Sequence, residues 1–386
     1  MRTAAAERAL AAIVDRVDVI LANTGDRFPY VNVDGTWETT ADGNWCGGHW
    51  IGLLRLAAAH DDDRVDRFSA AADAQTAAMV TGMERSSMFC GMNFHYAGFR
   101  AYDRTGDRSH FGRGLAGADA MCELFHDGAR QVSLGILDIK GPEQFRGPAT
   151  AHGPTGERLG AVDAIYVALG VLWRAYRETR RPHFRDIAIS HADRHLDWYH
   201  RDDGSTWHHA EFDADGSLVR QYNELAASDA TCWARGLGWH VAGLVRCYNE
   251  TGAERYLAAL EASVAYHRAN TPGDEIPYWD YAAPEIPDEP RDTSAAGLIA
   301  YGLTALEPAD DAHATRVAPL RAYGRELLAE IVDGYMILDA DANRRGAVLQ
   351  GCFNAPGDYA TNAELIWTNY YVARALERVV TEGHGS

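Results

Sequence analysis

The chain has no Cys-x-x-Cys pair. Its six cysteines, Cys46, Cys90, Cys122, Cys232, Cys247 and Cys352, are scattered, which argues against a structural zinc and against a dithiol redox motif. Isolated thiols fit a reducing cytoplasm. The chain also lacks any run of about eighteen uncharged apolar residues, so no transmembrane helix is expected. Its first residues, MRTAAAERALAAIVDRV, carry charges inside their apolar pattern and read as an amphipathic helix, not as a signal peptide. No Pro/Gly-rich linker divides the 386 residues, and one domain over 1–386 is expected. Positive charge is short: 36 Lys and Arg stand against 55 Asp and Glu, a formal net charge of -19. That balance disfavours nucleic acid and anionic membranes, and makes a long polyanionic polysaccharide an awkward partner. A small ligand, even an anionic one, is compatible if local positive groups meet it.

Apolar residues are plentiful, at 47%, so a sizeable core is expected. The ten Trp and eighteen Tyr exceed what packing alone demands. Flat rings stack on the C–H faces of sugars, although most of these aromatics serve as core fillers. Apolar periodicity predicts helices over about 3–22, 47–60, 68–82, 93–104, 111–126, 162–178, 184–200, 230–250, 254–269, 293–305, 313–333 and 362–379. Many stop at a short polar turn and restart at once, the pattern of helical hairpins. The turns AYDRTGDRSHF (101–111), AYRETRRPHF (175–184) and CYNETGAERY (247–256) share one plan, and AAAHDDDRVDRF (57–68) is a looser copy. The clear copies lie roughly 70 residues apart, near one sixth of the chain. The fold class is therefore all-α, with six helical hairpins closed into an (α/α)6 barrel. Three stretches are not helical: a Gly/Pro-rich loop at 137–160, a β-hairpin at 205–222 and a Pro-rich excursion at 271–292. Long loops in a compact fold are usually functional, and here they gather over one mouth.

Asp163 precedes a strongly apolar stretch, AIYVALGVLW. It is either an N-cap, with a lowered pKa, or an acid at the base of a pocket, with a pKa raised by apolar neighbours. Arg235 and Trp239 are four apart and share a helix face. They either hold a carboxylate and stack on a sugar, or form an arginine capped by Asp229 and a core tryptophan. His208 and His209 fall in the expected hairpin, where adjacent residues face opposite ways, so only one is expected to point into the site and joint metal binding is not expected. WCGGHW (45–50) suits a helix start at a pocket rim, and its Cys46 and His49 do not by themselves make a zinc site. RDTSAAG (291–297) reads as a helix start capped by Asp292 or Thr293.

AVDAIYVALGVLWRAYRET, RDDGSTWHHAEFD, ATCWARGLGWHVAGL, IPYWDYAAPEIPDEPRDTSAAGLIA, NAELIWTNYY and NWCGGHWIGLLRLA together resemble glycoside hydrolase family 88, the unsaturated glucuronyl hydrolases, almost end to end. The resemblance implies an (α/α)6 barrel and a reaction without metal or other cofactor. An aspartate hydrates the C4=C5 vinyl ether of an unsaturated uronic acid, and the aglycone is expelled. Asp163 stands at that aspartate's position. Trp45, His208, Arg235 and Trp239 stand at positions that hold the sugar and its carboxylate or stack on it. The partner implied is a small carbohydrate or glycoside, bound by a monomer or homodimer in the cytoplasm.

The chain also departs from the family. A second aspartate, in a His-Asp-x-Gly-Phe segment, is usual there; here the segment is MFCGM (88–92), and no Asp or Glu lies between Glu84 and Asp103. Met88, Phe89 and Asn93 are expected to line the substrate wall, giving it an apolar character. The loop before Asp163 is longer than the family's, with GILDIKG where a tryptophan usually precedes the acid. The expected activity is that of an unsaturated-uronyl hydrolase with altered specificity. The rival readings are a catalytically inactive sugar-binding homologue and, fitting less well, a sugar epimerase, which needs two facing catalytic histidines.

Overall fold

A computed structural model gives the structure of residues 1–82, 87–136, 155–339 and 342–384. Among these, helices alternate between an outer and an inner ring. The outer helices are α1 (Thr3–Thr24), α3 (Val65–Gly82), α6 (Arg108–Glu123), α9 (Pro182–Tyr199), α11 (Glu254–Asn270) and α13 (Asp311–Glu330). The inner positions are α2 (Gly47–His60), α4 and α5 (Phe89–Phe94 and Ala101–Thr105, joined by a π-turn), α7 and α8 (Ala164–Val167 and Leu169–Thr179), α10 (Ala234–Thr251), α12 (Thr293–Thr304) and α14 (Ile366–His384). Inner helices pack in the order α2, α4, α7/α8, α10, α12, α14 and back to α2, so the ring closes. Each hairpin also packs on itself, α2 on α3, α4 on α6, α8 on α9, α10 on α11 and α12 on α13, while α14 packs on α1. This is the (α/α)6 barrel that the spacing of the turns predicts.

The inner helices are apolar on nearly every face because both rings cover them. α12 is buried along its whole length, and Trp50, Trp173, Trp239 and Trp367 are among the largest buried side chains. Most tryptophans are thus core fillers. No helix among the described residues is long and apolar enough to cross a membrane.

The repeated turns have one physical origin. α5, α8 and α10 end at Thr105, Thr179 and Thr251. The next residue, Gly106, Arg180 or Gly252, is left-handed (φ 69°, 58° and 64°), and its N–H closes onto the carbonyl of Tyr102, Tyr176 or Tyr248. Each threonine hydroxyl donates back to the carbonyl four residues earlier and accepts the N–H two residues on. These are αL helix stops, and they lie at the end of the ring where inner helices finish.

The opposite end, where inner helices begin, carries the long connections. One is a three-stranded antiparallel sheet of Leu159–Ala161, His209–Phe212 and Leu218–Tyr222. Its hairpin turns at Asp215-Gly216, with Gly216 at φ 88°, as the sequence predicts. The expected loop at 137–160 lies outside the described residues up to 154, and its last residues form the first strand of this sheet. The Pro-rich 271–292 stretch carries no helix and ends at α12.

Candidate active site

The sheet sets Asp163 in place. Ala161 pairs with His209, and the Val162 N–H donates to the His208 carbonyl at 2.8 Å. Asp163 follows directly and precedes α7. It stands at the N-cap position, yet its backbone is already helical (φ -62°, ψ -30°) and its side chain makes no capping bond. The cap reading therefore fails for a geometric reason: an N-cap needs extended backbone to bring its oxygen over the next N–H groups. Oδ1 is buried with no hydrogen-bond partner among the described residues. Burial raises the carboxyl to about 6, against the opposing pull of His209 and Arg235. No carboxylate is among the groups that shift it.

The histidine pair corrects the sequence reading. Residues 208 and 209 do not face opposite ways; their rings stack with centroids 3.7 Å apart. The strand begins only at His209, and His208 lies in the bend before it, where strand alternation does not hold. His209 bonds the Gly160 carbonyl through Nδ1 at 3.2 Å and Glu224 through Nε2 at 2.9 Å. His208 also packs on Trp233 at 4.6 Å. Burial first, then His209 and Arg235, hold it neutral well below the usual histidine range, and its Nδ1 has no partner among the described residues. One ligand atom each from His208, His209 and Glu224 lie within 4.8 Å of one another, so these three, and not Cys46 with His49, are the residues with metal-ligand character. His49 instead bonds the Cys46 carbonyl and the Tyr371 hydroxyl.

Arg235 opens α10 and is 2% exposed. Its partner is Asp292, 57 residues away, at 3.4 Å, and not the expected Asp229, whose side chain accepts the Asn223 N–H. It also donates to the carbonyls of Cys352 and of Phe353, the latter at 2.6 Å. Its guanidinium lies over the rings of Trp233, Phe353 and Trp367. Asp292 is fully buried; it caps α12 through the Ser294 N–H at 3.0 Å and accepts the Cys352 N–H at 3.2 Å. It is thus the holder of Arg235.

Trp45, just before α2, donates Nε1–H to the Tyr30 hydroxyl at 2.7 Å. Its ring sits among Phe353, Trp367 and the half-buried Phe89, with centroids 6.2, 4.7 and 5.8 Å away. Phe89 opens α4, so an aromatic wall stands where relatives are expected to be polar. Three of the expected site residues are packed into the frame. Met88 is fully buried and is core behind that wall. Asn93 uses its amide on the frame, accepting the Gly48 N–H at 2.8 Å and donating to the Asn44 carbonyl at 3.0 Å; it clamps α4 to the start of α2. Trp239, 2% exposed, packs on Tyr166 and Tyr371, one turn below the Arg235 guanidinium.

Several residues of this region escape sequence reasoning. Trp233 and Trp367 sit inside the quoted motifs ATCWARG and NAELIWTNYY and could have been named there. Phe353 lies in a segment without period or motif. Tyr199 ends α9, and its hydroxyl is buried without a partner among the described residues. Burial, then the Asp163 charge, raise its pKa well above the usual phenol value.

A family model described as Glycosyl Hydrolase Family 88 matches residues 161–379. The unsaturated glucuronyl hydrolase of Bacillus sp. (strain GL1) is 26% identical over 382 residues, covering 95% of this chain and 96% of the relative. The unsaturated chondroitin disaccharide hydrolase of Streptococcus agalactiae serotype III (strain NEM316) is 22% identical, covering 97% of this chain and 90% of the relative. The crystal structure of the Bacillus sp. GL1 unsaturated glucuronyl hydrolase matches with a TM-score of 0.84 at 22% identity, over 97% of this chain and 96% of that one. That of the unsaturated glucuronyl hydrolase from Streptococcus agalactiae gives 0.85 at 18%, over 99% and 93%. These two likenesses establish the barrel.

Proposed function

Because the chain belongs to Glycosyl Hydrolase Family 88, we propose that it removes an unsaturated uronyl or related modified sugar from a small glycoside, with Asp163 as the acid. The observation that carries this reading is the Asp163 carboxyl: buried, uncapped, without a partner for Oδ1 among the described residues, and raised to about 6. A general acid works best with its pKa near the working pH. The neutral carboxyl donates its proton to C4 of the 4,5-double bond, and positive charge develops at C5. The carboxylate left behind accepts a proton from water as the water oxygen bonds to C5. The resulting hemiketal opens and the aglycone leaves C1, one water being consumed.

Arg235 supplies positive charge for the substrate's carboxylate. Three of the groups it meets are fixed protein acceptors, so it acts as a rigid field and not as a mobile arm. His208, with a ring nitrogen that has no partner among the described residues, and Trp45 offer a hydrogen bond and a stacking face to the sugar. The Phe89 wall offers none, and a buried hydroxyl set against it costs roughly 1–3 kcal/mol. The preferred ring is therefore deoxygenated, modified or differently linked, and ordinary lyase-derived unsaturated disaccharides are poor substrates. We place the activity on one domain, 1–386, acting as monomer or homodimer; the six free cysteines support a cytoplasmic setting.

The test is loss of vinyl-ether absorbance across a panel of unsaturated glycosides. Asp163→Asn is expected to lower turnover by roughly 10²–10⁴-fold. The wild-type rate is expected to fall tenfold per pH unit above about 6. Binding across the panel with no loss of absorbance would instead make the protein an inactive sugar-binding homologue.

A further inference from the structure

The inner helices carry a second constellation at the end opposite Asp163. Arg246 lies eleven residues beyond Arg235 on α10, roughly 16 Å along a helix rising about 1.5 Å per residue. There a cavity of about 430 Å3 is lined by Arg100, Arg177, Arg246 and Arg378, and by Tyr166 and Tyr301. Two acids, Glu250 and Glu307, share the wall, so cations outnumber acids two to one in a chain whose net charge is -19.

The arginines are held in place. Arg246 donates through Nη1 to the Tyr166 carbonyl at 3.1 Å, and its guanidinium lies 4.2 Å from the centre of the Tyr166 ring. Gly170 on α8 makes room for it: any Cβ there would run into Arg246 Nη1. Arg378 donates to the Tyr301 carbonyl and to the Thr304 hydroxyl, both at 3.1 Å. Arg177 pairs with Glu250, while Arg100 stands 3.7 Å from Asp103. Cations near helix C-termini answer the helix dipole, and the bonds from Arg246 and Arg378 to carbonyls do so. Dipole compensation does not require four guanidinium groups around one cavity. Three of them, with Arg374, act on Tyr301. Burial works to raise this phenol, yet Arg246, Arg100, Arg378 and Arg374 outweigh it and bring it down to about 7. The same end holds His95 neutral, through burial and then Arg246.

We propose that this cavity binds a small oxyanion, a phosphate, sulfate or their ester on a compact molecule, at a site separate from the mouth. Guanidinium groups match such anions with paired N–H donors, and the surplus of cations favours the charge.

The test uses the full chain and two kinds of probe. Thermal unfolding and calorimetric titration with potassium sulfate or phosphate are run at constant ionic strength against potassium chloride. A parallel arm uses glucose 6-phosphate, to separate a free anion from an esterified one. A saturable stabilisation beyond the chloride control is expected, with the apparent affinity weakened at least tenfold in Arg100→Gln and Arg177→Gln. These side chains are 38% and 49% exposed, so both variants are expected to fold. Arg246→Lys is expected to weaken binding while keeping the cation, and Asp163→Asn to leave it unchanged. No saturable effect beyond chloride overturns the proposal. So does an effect with the same midpoint in Arg100→Gln and Arg177→Gln, which would place the anion elsewhere. None of these readouts uses turnover, so failure here and failure of the proposed activity are separate results.

Discussion

The two ends of the barrel move two groups toward neutrality by opposite means. At the mouth, burial lifts the Asp163 carboxyl from 3.8 to about 6. At the closed end, arginines pull the Tyr301 phenol down from 10.0 to about 7 although burial opposes them. The difference lies in how the cations are used. A single arginine, Arg235, itself bonded to Asp292 and two backbone carbonyls, acts on Asp163 and only moderates its desolvation. At the other end Arg246, Arg100, Arg378 and Arg374 act together on Tyr301, and their combined pull lowers its phenol although burial opposes it. The sign of each shift follows the balance between burial and the charges within reach.

The largest break in this contrast is expected from Arg235→Met. It leaves Asp292 buried without its cation and strands the carbonyls of Cys352 and Phe353. Loss of one partner of a buried pair costs about 3–5 kcal/mol. Arg100→Gln, a half-exposed change at the closed end, is expected within about 0.5 kcal/mol of wild type without added anion. Chemical denaturation of both variants measures the difference, and equal losses would contradict it.

Asp163→Asn separates stability from activity. The folded pKa is raised, so the wild type holds its full stability below the unfolded value of 3.8 and loses part of it as pH rises through about 6. The amide carries no such loss. At pH 8 the variant is expected to be the more stable, by at most about 3 kcal/mol at 1.4 kcal/mol per pKa unit. The gap should close near pH 3.5, and a gap independent of pH would show that Asp163 is not desolvated.

Asn93→Ala tests the frame of the mouth. It strands the Gly48 N–H and the Asn44 carbonyl, at a cost of about 1–3 kcal/mol, with KM unchanged for any substrate that is turned over. A raised KM at unchanged stability would return Asn93 to the substrate wall. The smallest signal is optical. Difference absorbance of phenolate is expected to show a tyrosine titrating below the usual phenol range, and Tyr301→Phe should remove that step.

The helical ring was legible in the sequence because its causes are local. The Thr-plus-αL stops at 105, 179 and 251 are each built within a few residues, so they leave a readable motif. Asp163 was legible through its motif but its environment was not. Whether it caps depends on φ and ψ set by a sheet whose strands are some 50 residues apart in sequence. The partner of Arg235 is hidden for the same reason: Asp229, the local acid that one of the two readings offers, is near in sequence, while Asp292 arrives with the next inner helix. His208 and His209 were misread because alternation was carried one residue beyond the true strand end. Met88 and Asn93 are expected on the wall because MFCGM stands where the family has its His-Asp segment; the burial of Met88 and the bonds of Asn93 to α2 come from packing that a motif does not carry.

The threonine-locked turns also decide where this architecture can change. At the closed end two residues separate α5 from α6, α8 from α9 and α10 from α11, and each such junction engages a tyrosine carbonyl, a threonine hydroxyl and one left-handed residue. An inserted residue there would uncouple an inner helix from its outer partner and shift both out of register. At the mouth five of the six connections run to twenty residues and more, and added length leaves the ring untouched. Variation in chain length is thus channelled to one pole of the molecule, so a lineage can redesign what the opening admits while inheriting its scaffold unaltered.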